Sequence, residues 1–174
     1  GTAGFAHVSC LAEQAKILYA EAKENHSDDT QWHRWHHCSL CEQHYHGVVK
    51  CALGWACWKT YVGRPEADAI RLSAMFLLGT GLADAKHYED ALSVDETKVA
   101  LMRRLGASEY DILIAQGNLA GSYGTLGRLE EALRIQRDVY YGHVKLNGEG
   151  HLESLGAANN YATTLIRSVS YTHL

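Results

Sequence analysis

The strongest constraint in this sequence is a stretch that occurs more than once. Residues 112–146 read ILIAQGNLAGSYGTLGRLEEALRIQRDVYYGHVKL. The first half puts Leu119, Ala120, Tyr123 and Leu126 on one helical stripe, and Gly127-Arg128 interrupts it. The second half resumes at Leu129 and carries Ala132, Leu133, Ile135 and Val139. The small residues Ala120 and Ala132 stand where two antiparallel helices would cross closely. Tyr88–Leu92 aligns with Leu129–Leu133 at an offset of 41, and Leu105 aligns with Leu146 at the same offset. Asn160-Tyr161-Ala162 aligns with Asn118-Leu119-Ala120 at an offset of 42. A period of about 40 residues with two helices per period specifies an all-α solenoid. With only 1 proline in 174 residues, nothing in the composition opposes helix. The pattern predicts helices at 66–84 and 88–105, then 111–125 and 129–146. A last helix at 153–167 lacks its second member, so its open face should fray or associate. Turns fall at Lys86-His87, Gly127-Arg128 and Asn147–Gly150. Glu89-Asp90 and Glu130-Glu131 suit helix N-termini through the dipole.

Gly127-Arg128-Leu129-Glu130-Glu131-Ala132 and the run His151–Ala162 resemble tetratricopeptide repeats of the kinesin-light-chain type, over roughly residues 68–167. The resemblance implies a right-handed α-solenoid of helix pairs, with two full repeats and one truncated repeat within 66–168. It also implies a protein-interaction scaffold or adaptor that holds an extended peptide in a groove lined by the first helix of each pair. Asn118 and Asn160 match the groove asparagine of the family. An amide there offers a ligand backbone both a donor and an acceptor; the alternative is a structural asparagine bonded to the next repeat. The first pair carries Leu77 at the equivalent place. Arg103, Arg104 and Arg128 could meet acidic peptide residues, although exposed charges need no such role.

The front of the chain carries different chemistry. His7-x2-Cys10 and Cys38-x2-Cys41 are two pairs at zinc-ligand spacing, and thiolate with imidazole suits zinc best among the available metals. Gly1, Thr2, His7, Cys10, Leu11, Cys38 and Cys41 resemble the second half of a RING-CH zinc finger. That resemblance implies an incomplete zinc-binding segment over 1–46, with His7 and Cys10 serving one structural zinc and Cys38 and Cys41 another. It further implies a fragment of an E3 ubiquitin ligase, which would dock a ubiquitin-conjugating enzyme and use the repeats to recruit substrate. No residue here would be a covalent catalyst. The four ligands could instead collapse onto one ion, or stay empty. His33, His36, His37, His44 and His46 crowd the same region and read as exposed polar fillers. A Cys41–His44 nucleophile pair lacks an orienting acid and an oxyanion hole.

Between the two parts, a helix opening at His7 and running to about Lys23 should bury Val8, Leu11, Ala15, Leu18 and Ala22. Residues 47–65 should form a linking helix, apolar on two sides. Val49, Leu53 and Ala56 lie on one side and Trp55, Trp58 and Val62 on the other, with Trp55 and Trp58 in the core. Gly63 could end it in a left-handed cap, and Pro65 could open the next helix.

A net charge of −4 without a basic block argues against nucleic-acid binding. An odd count of 5 cysteines, with no signal-peptide pattern, disfavours a disulfide framework and suggests a cytoplasmic protein. No apolar run reaches bilayer length, so no membrane partner is expected; Val48–Tyr61 is short and carries Lys50 and Lys59. The last six residues, 169–174, match the translation of a sequencing-library transposase adapter and are expected not to be native.

Overall fold

The computed structural model describes residues 7–25 and 29–171, with 29, 30 and 171 described in backbone only. Gly1 and Thr2 of the zinc-finger resemblance and residues 172–174 of the tail lie outside the described residues. Among the described residues there are seven α-helices, a 3-10 helix at Asp29–Trp35 and a single antiparallel bridge, His37 with His44. The helices are α1 (Val8–Glu24), α2 (Gly47–Tyr61), α3 (Ala69–Asp84), α4 (Tyr88–Arg104), α5 (Glu109–Thr125), α6 (Leu129–Asn147) and α7 (Leu152–Tyr171). None is long and apolar enough to cross a membrane. The chain divides after Ala91 into two compact units.

In the first unit, α2 and α3 press together through glycine. A Cβ on Gly54 would stand 2.8 Å from the Leu77 carbonyl oxygen, and one on Gly81 would stand 2.9 Å from Cys51 Cα. Lys50 pairs with Asp84 at 3.7 Å, and the Asp84 carboxylate also accepts the Gly47 N–H. The core joins Ala15 and Tyr19 of α1 to Trp35, Cys57, Tyr61, Ala74 and Leu77. Its aromatic rings meet edge to face, with Tyr19–Trp32 centroids at 5.2 Å and Trp35–Tyr61 at 5.9 Å. Burial pushes the Tyr61 hydroxyl up to about 12 and raises the Cys57 thiol as well, so both stay neutral in the core.

Three local expectations are corrected here. First, α2 buries Leu53, Gly54, Cys57 and Tyr61, and leaves Trp55 43% exposed. Trp58 alone of the two tryptophans packs on the core, with the Arg71 guanidinium 5.8 Å from its ring. A helix apolar all round does not announce its inner face; the glycine approach selects it. Second, Gly63 is not left-handed, and α2 closes through Val62 in right-handed geometry, its N–H on the Trp58 carbonyl at 2.8 Å. Third, α3 starts after Asp68 rather than at Pro65. The Asp68 side chain caps it, accepting the Ile70 N–H at 2.8 Å while Arg64 Nε donates to its other oxygen at 2.8 Å.

The helix ends repeat as the helices do. Lys86 (φ 68°) and Gly127 (φ 75°) are left-handed one period apart, as are Gly106 (φ 68°) and Gly148 (φ 87°). At Lys86 the N–H reaches Ala83 O at 3.0 Å and the His87 N–H reaches Leu82 O at 2.9 Å; at Gly127 the equivalent bonds are 3.3 and 3.0 Å. This is the Schellman closure that favours glycine. In the second unit, Ala120 and Ala132 are both buried. Helix α5 is capped by Ser108, whose Oγ accepts the Asp111 N–H at 3.1 Å. Leu113, Val139 and Ala157 bring α5, α6 and α7 to one core cluster.

Candidate functional site

Asn118 on α5 and Asn160 on α7 come from successive repeats, and both line one cavity of ≈ 240 Å³ in the second unit. Both are exposed, and neither side-chain amide hydrogen-bonds to another described residue. The amides are therefore not used up in joining repeats. Beside them lie Gly117 and Gly156, where a Cβ would meet nothing within 4 Å. The walls here are bare backbone facing open space. Leu77, the equivalent residue in the first unit, is instead a core residue of that unit.

Helix α6 supplies Gln136, Val139 and His143 to the cavity. Gln136 is 5% exposed and His143 4% exposed. Gln136 Oε1 and His143 Nδ1 are buried without a hydrogen-bond partner among the described residues. The His143 ring stands edge-on to Tyr110 at 6.0 Å, and the Tyr110 hydroxyl donates to Glu153 Oε1 at 3.1 Å. Glu153 also lines the cavity. Sequence reasoning missed Gln136 and His143. They continue the spacing of Ala132 and Val139 at i, i+4, i+7 and i+11, which marks the buried stripe of α6; their polar side chains concealed it. Of the arginines considered for acidic peptides, Arg128 is already engaged. It donates to Glu131 at 2.9 Å and covers the Tyr123 ring at 4.5 Å.

The cysteine pairs are arranged separately. Residues 36–45 form a tight hairpin: Tyr45 N–H to His36 O at 2.9 Å, Cys38 N–H to Gln43 O at 2.9 Å and Glu42 N–H to Cys38 O at 3.0 Å. Glu42 takes the left-handed turn, φ 57°. Inside the turn the Leu40 N–H points at Cys38 Sγ, 3.5 Å away. Main-chain N–H groups of Cys41 and Leu40 hold the Cys38 thiol below its ordinary pKa. Ser39 Oγ bonds to Gln14 Oε1 at 3.2 Å, fastening the hairpin to α1 one turn beyond Cys10. His7 precedes α1 and Cys10 lies in its first turn, both exposed. Among the described residues, no three His, Cys, Asp or Glu side chains converge as a metal would require. His7, Cys10, Cys38 and Cys41 are thus two neighbouring pairs and do not close on one point.

The histidines correct another expectation. His33, His36 and His37 are partly buried, not exposed fillers. Ring centroids lie 4.6 Å apart for His36–His37, 3.8 Å for His37–His44 and 5.8 Å for His36–His44. Burial first, and then the neighbouring imidazoles, push His36 down to about 4, so the stack packs with His36 neutral. Backbone pairing across the hairpin creates this proximity.

No family model matches the chain, and no curated protein does. Among solved structures it is similar to a Podosopora anserina protein assigned as a kinesin light chain, with nearly identical TPR-like repeats. The TM-score is 0.57 at 20% identity, covering 92% of this chain and 67% of that one. A single-substitution variant of the same protein matches with a TM-score of 0.57 at 20% identity, covering 92% of this chain and 68% of the other. This likeness shows the fold: the chain is an all-helical TPR-like repeat structure.

Proposed function

We propose that the chain is a protein-interaction adaptor that holds an extended peptide along α5 and α7. One observation carries this reading: free amides from two successive repeats, Asn118 and Asn160, line a single cavity. Each can give a donor and an acceptor to a peptide backbone, which pairs main chain without demanding one sequence. The TPR-like fold supports it, because such repeats generally serve protein recognition. Peptides selected from a random phage-displayed library on the native chain test it. Replacing Asn118 by Ala should weaken them about tenfold, the worth of one or two net hydrogen bonds. Affinities unchanged in both Asn118→Ala and Asn160→Ala would sink the reading.

A structural zinc in the N-terminal segment is a second reading, favoured by the main-chain N–H groups aimed at Cys38 Sγ. Such bonds stabilise the thiolate that a metal needs. Cys38 and Cys41 would hold the ion, with His7 and Cys10 as the other candidate pair. Metal content of protein purified without chelator should show bound zinc, and Cys38→Ser should remove it. Metal-free native protein would refute this. The ubiquitin-ligase alternative rests on the sequence resemblance alone.

A further inference from the structure

The cavity beneath Asn118 and Asn160 has a polarity that the two asparagines do not explain. Gln136 and His143 are each more than nine-tenths buried in its lining, and Gln136 Oε1 and His143 Nδ1 are unpartnered. An unsatisfied buried polar atom is costly, so such atoms are normally met by protein, water or ligand. An amide oxygen can only accept. Of the residues lining the cavity, Glu153 alone carries a carboxylate, and no lysine or arginine stands beside it. An acidic side chain entering there would meet like charge and another acceptor, with no cation to offset either. At ≈ 240 Å³ the space suits one side chain, below the usual span for a whole small ligand.

We infer that this cavity selects a peptide side chain that donates N–H hydrogen bonds and carries no negative charge: the primary amide of glutamine or asparagine, or the ammonium of lysine. The inference rests on the peptide-groove reading and adds the chemistry of its pocket. Open backbone at Gly117 and Gly156 leaves the entrance clear.

The test uses peptides selected from a random phage-displayed library on the full chain, each resynthesised with Gln, Lys, Glu or Leu at every position in turn. One position should prefer Gln or Lys, with the isosteric Glu peptide at least about tenfold weaker. The better of Gln and Lys tells amide from ammonium. Gln136→Leu should erase the Gln-over-Glu preference, whereas Asn118→Ala should weaken all four peptides alike. Gly156→Leu is a second variant that fills the cavity while improving helix propensity. It should keep the helical circular dichroism of the native chain and lose the preference. A position that favours Glu, or Leu over both donors, overturns the inference and leaves the groove standing. Persistence of the preference in Gly156→Leu also overturns it. Peptides indifferent to both Asn118→Ala and Asn160→Ala, or no peptide recovered, overturn the groove reading and this inference together.

Discussion

Asp68 shows how much local order one side chain can impose. It caps α3 through the Ile70 N–H and takes a second bond from Arg64, which is the main reason its carboxyl sits below the ordinary value of 3.8. A carboxylate whose folded pKa is depressed contributes stability above the unfolded value, and that contribution is lost as pH falls through the folded one. Asp68→Ala should therefore lower Tm by a few degrees at neutral pH. The gap between the two proteins should close as the pH drops below 3.8. Thermal melts at neutral and acid pH read this directly, and equal Tm values at neutral pH would show the cap to be idle. Lys86 illustrates the opposite case, a side chain tolerated in the left-handed position that its counterpart Gly127 occupies freely.

Helix pairing depends on where side chains are absent. At Gly54 the obstacle to a Cβ is the Leu77 carbonyl oxygen at 2.8 Å, which is backbone and cannot rotate away. Gly54→Ala must part α2 from α3, at a cost of about 1–3 kcal/mol. At Gly117 nothing stands within 4 Å, so the same change should stabilise α5 by about 0.5–1 kcal/mol. Urea denaturation of the two variants should shift in opposite directions. Shifts of the same sign would mean that the α2–α3 approach does not limit packing.

At the scale of the molecule, two compact units carry separate cores. All 4 tryptophans, residues 32, 35, 55 and 58, fall in the first unit. Tryptophan fluorescence thus reports that unit, whereas far-ultraviolet circular dichroism reports every helix. Gly54→Ala should lower the fluorescence midpoint more than the dichroism midpoint. Coincident shifts would show one cooperative transition instead.

Much of the fold was legible in the sequence because helix formation here is local. The 3.6-residue pattern and the turn residues predict 88–105 and 129–146, against the observed Tyr88–Arg104 and Leu129–Asn147. The pairing of small residues and the repeat offset carried the two-helix period as well. Asn118 and Asn160 could be singled out from that period, but their meeting at one cavity is a matter of how α5 and α7 pack. Three features belong to tertiary structure alone. The inner face of α2 was chosen by backbone approach at Gly54, since hydrophobicity on both sides of the helix left it open. The histidine stack was made by hairpin pairing between residues distant along a strand-free stretch. Gln136 and His143 were carried beneath the groove by the buried stripe of α6, against their own polarity. Periodicity determines which residues share a helix face; only packing decides which face is buried and which polar groups are left there without a partner.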